Sequence, residues 1–192
     1  PLICFTLINL LFSVGSAFAL GNEHLTIHGY ISQGYVRSTG NEFIHASKDG
    51  TFDMRQAGIN LLYRPSRHFY LASQLVHRNF GDFEFNEQNL ALDYLFIGSN
   101  LFSSNSFDAN MKLGRIKMPF GLYNETRDIP YTQTSILNTQ GIYSEHSRAA
   151  WLSAEGLSID LSSYNSAGSF ALSLLHGSSS ITKNQLALET GL

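Results

Sequence analysis

The side chains with the most chemical potential in this sequence are concentrated in residues 113–128, which read LGRIKMPFGLYNETRD. Pro119 and Gly121 interrupt a strand-like beginning, because proline lacks the N–H that a ladder needs and glycine takes backbone angles closed to other residues. Charges of both signs across a narrow passage would set a transverse electric field and a preferred ion sign. The candidate residues for such chemistry are Arg115, Lys117, Asn124, Glu125, Arg127 and Asp128.

The same residues could instead serve the structure alone. In that interpretation the charges pair with one another, hold the loop after Pro119 in place and touch no solute. The apolar phase of the preceding strand changes at Gly114, and a β-bulge there would turn Arg115 and Lys117 toward the polar face. In the alternative interpretation the strand has no bulge, and both charges lie past the end of its apolar part. The sequence leaves these alternatives open.

No enzyme motif accompanies this cluster. The sequence contains no G-x-S-x-G, no H-E-x-x-H, no glycine-rich phosphate loop and no cysteine pair. Glu145 and His146 form the one adjacent pair of an acid and a histidine, and a metal site would need further ligands that the sequence does not group there. We therefore expect no catalytic residue, no metal, no cofactor and no enzymatic activity.

The composition narrows the class of protein. Charged residues make up 14 % of the 192 residues, against roughly 25 % in soluble domains, while Ser, Asn, Gly, Gln and aromatic residues are abundant. This balance fits a membrane barrel better than a cytosolic enzyme, although a secreted lectin-like β protein would share it. A net charge of -3 argues against a nucleic-acid partner, and a single cysteine excludes a disulfide framework.

Residues 1–19 are predicted to be an export signal. They form an uncharged apolar run that ends in Ala17-Phe18-Ala19, a typical cleavage site. The alternative is a transmembrane helix of about 20 residues. Cleavage after Ala19 would remove Cys4 and leave residues 20–192 as the mature part. Since the first residue is not Met and the last ten read as an element beginning, we interpret the chain as a fragment of a longer protein.

Apolar and polar residues alternate with a period of two from Leu25 onward, which predicts strands rather than helices. About seven strands of about ten residues are expected, the length that a tilted strand needs to cross a membrane. The expected fold is all-β: an antiparallel transmembrane β-barrel that is incomplete in this chain. The segments with strand character are residues 25–32, 56–64, 69–78, 89–96, 107–118, 157–162 and 169–174.

The two faces of these strands differ in chemistry. In a membrane barrel the apolar face meets lipid and the polar face meets a wet lumen. The polar positions here carry Thr, Ser, Asn, Gln and His rather than the Lys and Glu of a soluble surface. We expect Leu90, Leu92, Tyr94 and Phe96 to share the lipid face. The candidates for lumen-facing residues are His28, Gln56, Asn60, Arg64, Asp93 and Asp160.

The predicted connections alternate in length. Residues 38–52, 79–88 and 119–148 form long connections, whereas 65–68 and 165–168 are short and 98–106 is intermediate. Outer-membrane barrels have short turns on the periplasmic side and long loops outside. A soluble sandwich does not require this alternation of short and long connections.

The stretch 113–128, with its pattern G-R-x-K-x-P-x-G-L-Y-N-E-T-R-D, resembles porin-like outer-membrane proteins of Gram-negative bacteria, and the resemblance continues to Tyr143. It implies that this chain is the amino-terminal part of a barrel of about sixteen strands. It also implies that the loop 119–148 folds inward or shapes the pore mouth. Gln133-Thr134-Ser135 departs from the family pattern, which has an Arg-Pro pair before the serine.

These observations together predict an outer-membrane channel for passive diffusion of small hydrophilic solutes or ions. Its partners would be outer-membrane lipid and those solutes, with a homo-oligomer such as a trimer as a further candidate. The alternative is a secreted or periplasmic β-sandwich that binds carbohydrate.

Overall fold

The computed structural model describes residues 23–39, 47–79, 90–127, 132 and 148–179. The predicted signal segment 1–19, the residue Asp128 and most of the loop 119–148 lie outside this part of the chain. The described elements are β1 (Leu25–Val36), β2 (Thr51–Tyr63), β3 (Phe69–Asn79), β4 (Leu90–Ser103), β5 (Phe107–Lys117), α1 (Arg148–Trp151), β6 (Ser153–Asn165) and β7 (Gly168–Ser178).

The seven strands form one open sheet in the order β1-β2-β3-β4-β5-β6-β7, and every neighbouring pair is antiparallel. The expectation of an all-β chain with about seven antiparallel strands is thus confirmed. Five strands, β2 to β6, have a partner on both sides, so most of their backbone groups are paired. Closure into a barrel, the total of about sixteen strands and the crossing of a membrane remain predictions.

The connections between strands alternate strictly between long and short. Residues 64–68, 104–106 and 166–167 are the short ones, while 37–50, 80–89 and 118–152 are long. Because consecutive strands run antiparallel, all three long connections leave from one end of the sheet. The connection predicted as intermediate at 98–106 is a short turn, since β4 continues through Ser103. The Oγ of Ser104 accepts the N–H of Phe107 at 3.0 Å and closes that turn.

The ladders sort the side chains onto two faces, since residues directly opposite one another point the same way. One face is apolar across four strands in the row Leu71, Ile97, Leu113 and Leu157. Its exposed fractions are large: 56 % at Ile97 and 60 % at Leu113. We refer to this as the apolar face. The opposite, polar face carries rows such as His28, Asn60, Gln74 and Tyr94.

These rows do not run straight across the strand centres. The row that begins at Tyr30, in the middle of β1, reaches β4 at Ala91, next to the start of that strand. Each strand is therefore displaced along its neighbour. Such stagger is the shear that accompanies strands tilted relative to a barrel axis, although an open twisted sheet shows it as well.

An irregularity in β4 changes the face of its side chains. The register between β3 and β4 shifts between Gln74 and Leu75, with Leu75 opposite Leu92 and Gln74 opposite Tyr94. Asp93 is the extra residue on the bulged strand. Leu90 and Leu92 therefore lie on the apolar face and Tyr94 and Phe96 on the polar face, so the expectation that all four share one face is wrong. Sequence alternation cannot reveal a bulge whose flanking residues are all apolar.

Gly114 is irregular in backbone angle but not in register. Its φ is +132°, and the ladders to β4 and β6 both continue through it without a shift. The bulge expected there is absent from the described ladders. A Cβ added at Gly114 would meet the backbone of Leu95 and Phe96, so the strand approaches its neighbour closely at this point.

Gly114→Ala should destabilise the fold by about 1–3 kcal/mol, because a side chain at this φ is strained and its Cβ would collide with backbone rather than with a movable side chain. Urea unfolding of the full-length protein, followed by tyrosine and tryptophan fluorescence, measures the change. Gly29→Ala is the matched control, since its Cβ would only touch Gly58 O at 3.4 Å. Equal loss in both variants would contradict the assigned geometry.

Candidate functional site

A compact group of polar side chains lies on the polar face between β5 and β6. Lys112 Nζ is 2.9 Å from Asp160 Oδ2, and Ser158 Oγ donates a hydrogen bond of 3.2 Å to the same carboxylate oxygen. Ser158 is the direct partner of Lys112 in the ladder, and Asp160 is two residues further along β6. Both charged side chains are about one-quarter exposed, at 26 % and 25 %.

Asp160 was a candidate from the sequence, whereas Lys112 was missed. The signal was present: Asn110 and Lys112 alternate with Ala109, Met111 and Leu113, which places them on the polar face of the strand. The pairing of Lys112 with Asp160 depends on the register between β5 and β6, which alternation alone does not specify.

Three other sequence candidates lie on the same face, farther toward β1. His28 is exposed and lies opposite Asn60 in the ladder. Asn60 Oδ1 accepts a hydrogen bond of 3.4 Å from the hydroxyl of Tyr94. Gln56 is buried, and its Nε2 donates to the hydroxyl of Tyr30 at 3.0 Å. The polar face in this region thus carries amide and phenol groups that hydrogen-bond in pairs.

The remaining two candidates are placed differently. Arg64 is exposed in the short connection after β2, where its backbone N–H donates to His24 O at 2.6 Å. Asp93 is 1 % exposed at the bulge in β4, and its backbone oxygen accepts a hydrogen bond from Ser153 Oγ. Asp93 is therefore enclosed by protein rather than presented to solvent by the described residues. Whether either residue faces a lumen stays a prediction.

Arg115 lies on the apolar face. It is opposite Leu95 of β4 and Glu155 of β6, two residues along from the exposed Leu113–Leu157 pair. Arg115 Nη1 is 3.8 Å from Glu155 Oε1, and the glutamate side chain is 67 % exposed. The hypothesis that a flip at Gly114 turns Arg115 toward the polar face is wrong, because the register is continuous there.

Lys117 is the last residue of β5 and has the same strand parity as Arg115, but its long side chain ends beside groups of the polar face. Its Nζ donates to Glu125 O at 3.1 Å and lies 5.6 Å from the centroid of the Tyr94 ring. The lysine is 9 % exposed. A small pocket in front of it is lined by polar side chains from three strands and the loop after β5, namely Lys112, Lys117, Glu125, Ser158, Asp160 and Ser173.

Asn124 fastens the turn after β5 to the beginning of β6. Its Nδ2 is 2.8 Å from Met118 O, 3.0 Å from Trp151 O and 3.1 Å from Leu152 O. The side chain is 1 % exposed. Met118 O and Leu152 O also accept backbone N–H groups, so the amide adds a side-chain link between the turn and the residues just before β6.

The rest of the charged stretch is divided between interior and surface. Arg127 is 2 % exposed, so it does not project into solvent, whereas Glu125 is exposed and bonds through its backbone oxygen. Phe120 stacks on Trp151 at 5.4 Å and covers the junction with α1. The contacts of Lys117 and Asn124 are those expected if residues 113–128 hold the loop after Pro119 in place. Those of Lys117 also connect the loop to the polar face.

The structure shows a further polar-face residue that the sequence did not indicate. Gln74 lies opposite Asn60 and Tyr94, is 1 % exposed, and its amide makes no hydrogen bond within the described part of the chain. An unpaired buried amide costs about 1–3 kcal/mol, so this position is not explained by stability. Gln74 belongs to the segment 69–78, in which apolar and polar residues do not alternate clearly. The sequence therefore did not assign Gln74 to either face.

Comparisons with protein-family models, with curated proteins and with solved structures find no match. Across the described residues, no three His, Cys, Asp or Glu side chains are grouped to hold a metal ion. None of the helices in that part of the chain is both long and apolar enough to cross a membrane.

Asn124→Ala should destabilise the junction of β5 and β6 by about 1–3 kcal/mol, because it removes the donor shared by three buried or half-buried carbonyls. Limited proteolysis of the folded protein should then cut faster between residues 118 and 152. Glu125→Gln is the matched control, since only the backbone oxygen of Glu125 bonds to Lys117. Unchanged cleavage in Asn124→Ala would show that this amide does not hold the turn.

Proposed function

We propose that this chain forms part of an outer-membrane β-barrel channel through which small hydrophilic solutes or ions diffuse passively. The apolar face would meet outer-membrane lipid, and the polar face would line the wet passage. No catalytic step and no cofactor enter this mechanism. An export signal in residues 1–19 and assembly into a homo-oligomer belong to the same proposal.

The observation that carries the proposal is the uncovered apolar face. Ile59, Leu95 and Leu174 are 59 %, 43 % and 55 % exposed, and neither a helix nor a second sheet of the described residues packs over them. Large contiguous apolar surface is rare on soluble monomers. Lipid solvates such a face, and a barrel wall presents it around its whole circumference.

The alternative of a soluble carbohydrate-binding sandwich requires a second layer on that face. Sandwich sheets bury their apolar faces against one another about 10 Å apart. The described strands instead make one sheet whose more buried side chains, such as Gln56, Gln74 and Arg78, are on the polar face. This distribution favours the channel over the sandwich.

The polar face supplies a surface that water and hydrophilic solutes can follow. Its side chains are mostly hydroxyls, amides and phenols, with the Lys112–Asp160 pair among them. In the pocket beside β5, two lysines are matched by Glu125 and Asp160, so the formal charges cancel. A channel lined this way would have fixed charges that polarise the passage without a strong preference for one ion sign.

Neighbouring residues on β2 offer a direct test of the two faces. Ile59→Cys should resist a water-soluble maleimide in intact outer membranes, since lipid would cover it, whereas Asn60→Cys should react. Residues 20–192 contain no cysteine, so the introduced thiol is the one labelling site in this part of the protein. Mass spectrometry of the labelled protein measures the reaction.

Detergent-free, urea-denatured samples serve as the control, because both thiols should then react equally. Rapid labelling of Ile59→Cys in the intact membrane would mean that water, not lipid, contacts the apolar face. That result would contradict the channel proposal, because the proposal requires lipid to cover Ile59.

The two charges of the polar face should affect ion selectivity in opposite directions. Lys112→Gln should make the channel more cation-selective and Asp160→Asn more anion-selective, because each change leaves the opposite charge uncompensated. The measurement is the reversal potential of the full-length protein in planar bilayers under a salt gradient.

Arg115→Gln is the matched control for that measurement. It also removes one charge from β5, but from the apolar face beside Glu155. Its reversal potential should stay that of the unmodified protein. A shift for Arg115→Gln with none for Lys112→Gln would mean that the two faces have been assigned the wrong way round.

A further inference from the structure

Three aromatic rings lie together on the polar face, where small polar side chains otherwise predominate. The centroids of the Tyr94 and Phe96 rings, two residues apart on β4, are separated by 5.7 Å. Tyr70 of β3 meets Phe96 edge-on at 6.1 Å. We refer to Tyr70, Tyr94 and Phe96 as the aromatic cluster. All three side chains are partly exposed, so a solute on this face can reach them.

Hydrogen-bonding groups surround the aromatic cluster. Asn60 accepts a bond from the Tyr94 hydroxyl, and the unpaired amide of Gln74 lies in the same row of the ladder. On the other side, Lys112 Nζ is 5.7 Å from the centroid of the Phe96 ring and bonds Asp160. Flat apolar surface is thus bordered by amide, ammonium and carboxylate groups within one side-chain length.

The charges around the cluster do not point to an ionic ligand. Lys112 is compensated by Asp160 at 2.9 Å, and Lys117, which donates to the backbone oxygen of Glu125, shares a pocket lining with Glu125 and Asp160. A site for an anion would present an uncompensated cation, and a cation site would present an uncompensated carboxylate. The surface instead suits a neutral molecule that has both an apolar face and many hydroxyl groups.

We propose that the aromatic cluster is a binding site for neutral saccharides on their way through the channel. The C–H face of a sugar ring would lie against Tyr94 and Phe96, while its hydroxyls would bond to Asn60, Lys112 and Asp160. The amide of Gln74 offers a donor and an acceptor that the described residues leave unused. This inference rests on the proposed channel function and names the solute class that the channel would favour.

One ring in the cluster also has a structural task. The Tyr70 ring lies over Gly98 of β4, where any added Cβ would collide with it. A ring that covers a glycine stabilises the sheet whether or not a solute binds. The test therefore changes Phe96 and leaves Tyr70 in place.

The experiment is the block of ion current by maltotriose in planar bilayers containing the full-length protein. The unmodified channel should show a saturable, concentration-dependent fall in current. Phe96→Leu keeps an apolar side chain but removes the flat ring, so the half-blocking concentration should rise about tenfold. Tyr94→Leu is a second variant with the same expectation, should Phe96→Leu fail to insert.

Phe102→Leu is the matched control, because Phe102 is on the same strand but contacts Phe107 rather than the cluster. Its block should equal that of the unmodified protein. Conductance without saturable block, or equal block in Phe96→Leu, would overturn the saccharide site and leave the channel intact. Calorimetric binding of maltotriose that depends on Phe96, in a protein that never conducts, would support the site and overturn the channel.

Discussion

The structure depends on the unbroken pairing of seven antiparallel strands, which fixes the direction of every side chain. Once β1 to β7 are paired in sequence order, each residue is assigned to one of two faces, and a change of face requires a bulge. The backbone groups of the inner strands are thereby satisfied without water. This is the condition that any structure in a bilayer must meet, because an unpaired backbone group there costs several kcal/mol.

The same alternation explains why the two faces need different surroundings. Rows such as Ile97, Leu113 and Leu157 make one face apolar, and the described residues provide no layer to cover it. The other face gathers Asn60, Lys112 and Asp160 with the aromatic rings near them. Lipid on one side and water on the other would stabilise both faces, whereas a single solvent would suit only one. The junction that Asn124 fastens then sets where the strand ends and the loop begins.

Much of this arrangement could be predicted from the sequence, because period-two alternation is a local signal. The strands, their number and the rhythm of connections followed from it. The bulge at Asp93 could not be predicted, because Leu92, Tyr94 and Phe96 recur at every second position. Nothing in that spacing indicates that the face changes between Leu92 and Tyr94. The side of Arg115 was also missed: a change of apolar phase at Gly114 resembles a bulge, and only the ladders on both sides show that register continues. Contacts between strands, such as Lys112 with Asp160, depend on register and lie beyond any local pattern.

The most direct test of the central claim is a spin-label scan along β6 in reconstituted membranes, reading collision with oxygen and with a water-soluble nickel chelate at residues 157–162. Oxygen is concentrated in lipid and the chelate in water. The account predicts high oxygen accessibility at Leu157, Ile159 and Leu161, and high chelate accessibility at Ser158, Asp160 and Ser162. Chelate accessibility at all six positions, or the opposite alternation, would contradict a sheet with lipid on its apolar face.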